Sequence, residues 1–459
     1  MADPCKPRTA VAAAFELFLA RLQGDGVPHV VLRGVRNFPH HATGSDVDLM
    51  VRPQDARFVE LVLDGIGRRM NCAVYARHRA GFLTQLYLHG RSEDGQHSFL
   101  TVDLHTSEAC FGVPFLEADE LLPGHTDETG LQVPTKWIGA LVNFLGPWLS
   151  GGVIKTHYLE TLAEVMGTED ADVRARCRRW FGLSRGDGIA DAVYARDLKT
   201  LSQMNRSARR SLMWRALMHK PVRRSFAMLR FALATRVRPF WKPRGMTLAV
   251  IGTDGTGKST LLEALHEVLD PAFRASENTT FKLRAAALPT LDQLLHFDKR
   301  THTTEDFNRP HRAAPSGPIG SMLRAAWYAL DARLGWWLKV TPRRRRHCLI
   351  VFDRYFDDFL VDPLRARIRP NAWTTRFFAK LVPRPDRVMV CTAPLEVVRA
   401  RKQEISEVQT DQQLRGYERL AAERPEAFVV DTDCDLDVAV DRALSALFPL
   451  DPTSGSPSK

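Results

Sequence analysis

Short apolar runs recur along the early part of the chain, each about as long as a strand. "VPHVVLRG" (27–34), "SDVDLMV" (45–51), "NCAVYAR" (71–77), "TQLYLHG" (84–90) and "HSFLTVDLH" (97–105) are separated by polar or glycine-rich breaks. They predict five strands in a first region of about 10–125. Residues 126–245 carry few such runs and instead show helical spacing punctuated by arginine, and "RPFWKPRG" (238–245) closes them as a linker. From 246 the rhythm becomes strand then helix: "MTLAVIG", "TTFKLRA", "HCLIVFD", "DRVMVCTA" and "AFVVDTD" are apolar on both faces. That pattern suits a parallel sheet buried between helices. The expected fold class is therefore α/β and multidomain. It comprises an N-terminal α/β domain with a mixed sheet (10–125), a helical middle segment with a basic linker (126–245), and a C-terminal domain with a five-stranded parallel sheet (246–450). The tail 451–459 is expected to be disordered.

One run invites another reading. "WIGALVNFLGPWLSGGVI" (137–154) is eighteen residues without a charge. Pro147 and the glycines around it argue against a continuous membrane span, and predict a core helix ending near Gly146 followed by a turn.

Composition sharpens the picture in two places. The seven cysteines lie far apart with no C-x-x-C, which points to reduced thiols in a cytoplasm and away from a disulfide framework or structural zinc. "MADPCKPRTA" lacks the basic and apolar regions of an export signal, so a cytoplasmic location is expected. The net charge is +11, yet twelve Lys or Arg and no Asp or Glu fall between Leu201 and Gly245, leaving the remainder at −1. Those cations interleave with Trp214, Phe226, Leu229, Phe231, Phe240 and Trp241. Three readings of 201–245 stay open: a solvated helix packed on its own domain, peripheral contact with an anionic membrane, and nucleic acid, which ranks last.

The chemistry is most specific at "VIGTDGTGKSTLLEAL" (250–265). Gly252, Thr253, Asp254, Gly255, Thr256, Gly257, Lys258 and Ser259 fit G-x-x-x-x-G-K-[ST], with Thr260 next, a strand before and a helix after. Glycines let backbone N–H groups curl around phosphate oxygens, and the helix start adds its positive dipole end. Lys258 is placed to reach the β/γ-phosphates of ATP, and the Ser259 hydroxyl to ligate Mg²⁺. In "CLIVFDRYFDDFLVDP" (348–363), Asp353 closes a buried strand where it can order the metal, and Arg354 can grip an acceptor anion. "APLEVVRARKQE" (393–404) brings Arg399, Arg401 and Lys402 on a helical cover that can neutralise the transferred phosphoryl group.

These three stretches, in this order, resemble the thymidylate kinase branch of nucleoside monophosphate kinases, over about 200 residues. The resemblance implies a five-stranded parallel sheet, MgATP as donor, Asp254 near the acceptor, Arg354 on its anion, and Arg399 or Arg401 as lid arginines. The acceptor half departs from that pattern. "FDDFLVDP" follows Asp353-Arg354-Tyr355, and "KLRAAALPTL" follows the second strand. The string is similar to thymidylate-kinase-like proteins of bacterial surface-polysaccharide clusters. Asp357, Asp358 and Asp362 are candidates for holding acceptor hydroxyls, or else a polar face and a helix cap.

In the first region, Asp46 and Asp48 alternate with apolar residues and so share one face, and Asp103 stands in a second strand. Three aspartates from two strands form a ligand set for Mg²⁺ in nucleotidyl transfer. With Gly34 before them they resemble the nucleotidyltransferase superfamily of DNA polymerase β, although Val35 replaces its second small residue; Arg33 and His105 are candidate assistants. The expectation is an ATP-dependent kinase acting on a small nucleotide or sugar-type acceptor in surface-polysaccharide synthesis, fused to a nucleotidyltransferase-like domain. Two rivals stand beside it. One is a dTMP kinase, against which the rewritten acceptor half counts. The other is a non-catalytic ATP-binding scaffold at the membrane, which Lys258, Ser259 and Asp353 disfavour.

Overall fold

A computed structural model describes residues 9–33, 46–289, 316–369, 372–403 and 405–450. Gly34, Val35 and the tail 451–459 lie outside the described residues. The chain divides into two compact units, one up to Trp241 and one from Lys242 to Pro449.

The first unit is built on strands β1 (His29–Arg33), β2 (Asp46–Val51), β3 (Cys72–Ala80), β4 (Leu83–Arg91) and β5 (His97–His105), in the order β1-β2-β5-β4-β3. Only β2 and β5 run parallel; the other pairs are antiparallel, so the sheet is mixed. Alternation along β2 sorts its side chains between two cores. Val47, Leu49 and Val51 join Phe15, Phe18 and Leu22 of the helix Ala10–Gly24 and Leu63 of the helix Ala56–Arg69. Met50, from the opposite face, joins a second core with Val30, Leu32 and the helices Lys136–Gly151, Thr156–Phe181, Leu183–Tyr194 and Leu198–His219. Asp48 shares that opposite face with Met50, so the middle helices complete the same body that carries the carboxylates. Two short hairpins, β6 (Ser107–Cys110) with β7 (Val113–Glu117) and β8 (Gly124–Thr126) with β9 (Gln132–Pro134), lead into the helices.

The helix expected to stop near Gly146 does not stop there. It runs from Lys136 to Gly151 through Pro147 and closes on Gly152, whose φ of +72° and N–H to the Trp148 carbonyl (3.0 Å) make a left-handed cap. A proline inside a helix costs about 3 kcal/mol. Leu145, Trp148 and Leu149 are almost wholly buried beyond or beside it, and the Trp148 Nε1 donates to the Leu201 carbonyl at 3.2 Å. Three such side chains stabilise by about 1.5–3 kcal/mol each, so burial outweighs the break. Among the described residues no helix is long and apolar enough to cross a membrane.

The second unit is a five-stranded, wholly parallel sheet: β10 (Met246–Ile251), β11 (Thr279–Lys282), β12 (Leu349–Asp353), β13 (Arg387–Thr392) and β14 (Ala427–Asp431), in the order β11-β12-β10-β13-β14. Central residues such as Ile251, Ile350 and Val390 are buried between helices. The chain leaves β10 for β11 and β12 on one side, then crosses to β13 and β14 on the other. That reversal opens a crevice at the carboxyl end of β10, where ligands of open α/β sheets bind. The glycine loop that follows β10 stands at that open end of the sheet.

Candidate functional site

Strand β10 ends at Ile251, and the loop that begins with Gly252 reaches the helix Lys258–Leu269. Gly252, Gly255 and Gly257 all have positive φ, at +145°, +96° and +73°. A Cβ on Gly252 would stand 2.4 Å from the Cys391 carbonyl oxygen on β13, so the loop starts pressed against the neighbouring strand. Gly257 is the N-cap of the helix and supplies no side chain to its first N–H groups, which stay open to an anion. Thr432 ties the loop to the sheet through its hydroxyl, which donates to the carbonyls of Thr256 (2.8 Å) or Thr392 (3.0 Å).

The Lys258 side chain is buried. Its ammonium donates to the Gly252 and Thr253 carbonyls at 2.9 and 2.6 Å and lies 3.6 Å from the Asp254 carboxylate. Burial, with the Arg354 guanidinium beside it, lowers its pKa to about 8. Asp353 pairs in register with Val250 at the end of β12, and Ser259 is exposed on the first turn of the helix. Neither the Asp353 carboxylate nor the Ser259 hydroxyl has a hydrogen bond among the described residues, and the buried Thr253 hydroxyl has none either. Inward-facing amides, a buried lysine, an unengaged hydroxyl and an unengaged carboxylate fit a triphosphate with Mg²⁺.

Beside the loop, Asp254 is held between two guanidiniums. Arg354 donates to one oxygen and Arg365 to the other, at 2.5 Å for Arg365. Burial would raise the Asp254 pKa, but Arg354, Lys258 and Arg365 together hold it well below the usual carboxylate range. Arg354 adopts φ +77°, a costly conformation for a side chain this large, and one found where function over-determines the backbone. Of the cover residues, Lys402 packs near Gly255 and the Arg401 guanidinium near Gly257. Arg399 turns away, donating to the Ile405 carbonyl at 2.8 Å. Thr253, Asp254, Arg365, Lys402 and Thr410 line a small pocket beside the loop.

The three carboxylates after Tyr355 are placed differently from one another. Asp357 is bound at both oxygens by Arg424. Asp358 is wholly buried and accepts from the Tyr417 hydroxyl at 2.6 Å. Asp362 lies 3.6 Å from Arg365. Arg365, Arg424 and Tyr417 carry no signal in the sequence: Arg365 sits in "LRARIRP" with nothing to set it apart from Arg367 and Arg369.

In the first unit, Asp48 and Asp103 are register partners across the parallel β2–β5 pair, and with His105 they form a cluster whose ligand atoms lie within 4.8 Å of one another. Asp46 pairs with Thr101 at the exposed start of β2, outside that cluster. One oxygen of Asp48 accepts from Arg33 Nε at 2.7 Å and the other meets His105 Nε2 at 2.9 Å. Burial would raise the Asp48 pKa, but these two partners hold it down to about 2. Asp103 accepts from Gln85 Nε2 at 3.1 Å; burial, then the facing Asp48, push its carboxyl up to about 6. An acid whose charge is disfavoured beside a second carboxylate is a site that a cation would relieve, and carboxylate oxygens with one imidazole suit a divalent ion.

No family model matches the chain, and no curated protein does. Among solved structures it is similar to a thymidylate kinase from Ehrlichia chaffeensis, at 14% identity over 45% of this chain and 100% of that one, with a TM-score of 0.32. It is also similar to the thymidylate kinase from Candida albicans, at 17% identity over 44% of this chain and 91% of that one, with a TM-score of 0.30. Neither likeness carries a function over to this chain.

Proposed function

We propose that the 242–449 unit is an ATP- and Mg²⁺-dependent phosphotransferase, and that its acceptor is a small nucleotide or sugar-type molecule bearing an anionic group, of the kind surface-polysaccharide synthesis consumes. One observation carries the reading: the glycine loop, the buried Lys258 and the unengaged Ser259 and Asp353 converge on the open end of β10. Bound MgATP supplies the phosphoryl group and the metal's charge. The loop amides and helix start grip the β- and γ-phosphates, and Lys258 exchanges its loop carbonyls for phosphate oxygens. Ser259 and Asp353 orient the metal. Arg401 and Lys402 counter charge on the moving group. Arg354 and Arg365, now shared with Asp254, are the groups that hold the acceptor's anion. ADP release measured over a panel of nucleoside monophosphates and sugar phosphates tests this, with Lys258→Ala as control. Turnover on such an acceptor, lost in Lys258→Ala, is the expected result; unchanged ATP affinity and turnover in that variant would overturn it. Turnover with dTMP alone would identify a thymidylate kinase.

A second reading concerns the first unit, because Asp48, Asp103 and His105 form a cluster fit for a divalent ion. There the same ion would serve nucleotidyl transfer, with Arg33 released from Asp48. Pyrophosphate release from nucleoside triphosphates, abolished by Asp103→Asn and untouched by Lys258→Ala, separates this activity from the kinase.

A further inference from the structure

The basic segment folds as the helices Leu198–His219 and Pro221–Ala232, a π-turn over Leu233–Val237 and the short helix Arg238–Trp241. Val222, Phe226, Leu229, Leu233, Val237 and Phe240 follow one another at steps of three or four residues, the spacing that stacks side chains along one helix face. All six are exposed, Val222 at 84% and Phe226 at 64%, and nothing in Pro221–Ala232 is buried. The helix leans on its own unit by a different face: Phe231, half a turn away from this row, stacks on Phe82 with ring centroids 5.7 Å apart. A continuous apolar row of this length left in water marks an interaction surface.

Five arginines of the segment are equally unspent. Arg206, Arg210, Arg215, Arg223 and Arg238 make no hydrogen bond or ion pair among the described residues, because the segment contains no Asp or Glu to meet them. Four guanidiniums, from Arg185, Arg206, Arg210 and Arg215, converge with Ser207 and Trp214 on an open groove of about 680 Å³. Arg185 donates to the Phe181 carbonyl at 3.4 Å, but the other three are unpaired among the described residues. Unpaired arginines in a groove take phosphate oxygens, and a tryptophan 66% exposed at its edge suits the boundary between water and lipid.

We propose that residues 198–241 seat the protein on an anionic bilayer, with the apolar row among the upper acyl chains and the arginine groove on lipid phosphates. A second copy docked through the same face would bring eleven more cations against these eleven. Nucleic acid would use the arginines but leave the apolar row in water. Only an anionic lipid surface satisfies both halves.

The test uses the full chain and sedimentation with vesicles of phosphatidylcholine, with and without phosphatidylglycerol. Wild type is expected to pellet with the anionic vesicles and to release as salt rises. Phe226→Ser with Leu233→Ser lowers the partition coefficient by about tenfold or more. Arg206→Gln, Arg210→Gln and Arg215→Gln each lower it by about fivefold at low salt. All these side chains are at least partly exposed, so the variants keep the wild-type circular dichroism. The proposal is overturned if wild type fails to pellet with anionic vesicles at low salt, or if the Phe226/Leu233 pair leaves the partition unchanged. It is equally overturned if sedimentation velocity shows a dimer that this pair converts to monomer, which would make a second copy the occupant.

Discussion

Replacing Gly252 by alanine asks whether close approach of the loop to the sheet is what shapes the triphosphate site. Gly252 sits at φ +145°, and the new Cβ would stand 2.4 Å from the Cys391 carbonyl oxygen and 3.3 Å from Thr256 Oγ1. The first neighbour is backbone of a buried central strand, so it cannot rotate out of the way. Backbone strain at such a φ costs about 1–3 kcal/mol, and pushing a packed strand aside costs about 1–3 kcal/mol more. The 242–449 unit should therefore lose about 2–6 kcal/mol, which at about 2 kcal/mol per molar urea lowers its midpoint by about 1–3 M. The transition belonging to this unit is identified by its response to ATP, which stabilises wild type by about 2.7 kcal/mol at a hundredfold excess over the dissociation constant. In Gly252→Ala that transition comes earlier and no longer moves with ATP. A variant that unfolds within about 0.5 kcal/mol of wild type and binds ATP as tightly would refute the reasoning.

Three further outcomes follow from the same geometry. The Lys258 pKa of about 8 means the free site loses its ammonium as pH rises through that value. ATP affinity measured by calorimetry should thus weaken above about pH 8, by up to about tenfold per unit, and Lys258→Met should remove the inflection; a flat profile in wild type would count against a lysine contact. Asp103, pushed up to about 6, is largely protonated below that pH. Binding of Mn²⁺, read by water-proton relaxation, should strengthen as pH rises through about 6 and vanish in Asp103→Asn, and pH-independent binding would place the ion elsewhere. Asp331 is fully buried and accepts from Arg284 and from the backbone N–H groups of Ala287 (2.7 Å) and Leu288 (2.5 Å). Asp331→Ala strands a buried guanidinium and two N–H groups, so chemical denaturation should register a loss of about 3–5 kcal/mol; a loss below about 1 kcal/mol would mean the segment after β11 relaxes freely.

The ten strand readings lie where strands form, and the clearest rest on a local period that burial enforces: β2 alternates between two cores, and β10, β12 and β13 are buried along both faces. By contrast β11 and β14, expected to be buried on both faces too, lie at the sheet edges and are only partly covered. The helix across Pro147 was not legible for the opposite reason. Proline is a strong local signal, and what overrides it is the burial of Trp148 against residues near Leu201, some fifty positions on. The short hairpins β6–β7 and β8–β9 carry too few residues to show a period at all. The contiguous loop 252–259 was legible because backbone geometry alone demands its glycines. The Asp48–Asp103 pairing was half legible: alternation puts Asp46 and Asp48 on one face, but only the β2–β5 register decides which of them meets Asp103.

The run "DDFLVD" shows where composition stops informing chemistry. Its three carboxylates are equivalent on paper as hydroxyl-binding groups, yet their partners come from 59 and 67 residues away, beyond any periodic signal. Arg424 takes both oxygens of Asp357, and Tyr417 takes one from Asp358 where no solvent reaches. Breaking either contact would strand a buried charge or a buried hydroxyl, at a cost of several kcal/mol that a sugar hydroxyl, worth about 1 kcal/mol as a hydrogen bond, does not recover. Those two aspartates are therefore ties between elements. The groups beside the loop better placed to exchange partners are Arg354 and Arg365, since a phosphate or carboxylate can meet their guanidiniums and the Asp254 carboxylate they leave is partly exposed to water, unlike Asp357 and Asp358. If the proposed kinase reading holds, selection of the acceptor turns on its anion rather than on its hydroxyls, and Arg365→Gln should raise the acceptor's KM while leaving ATP affinity in place.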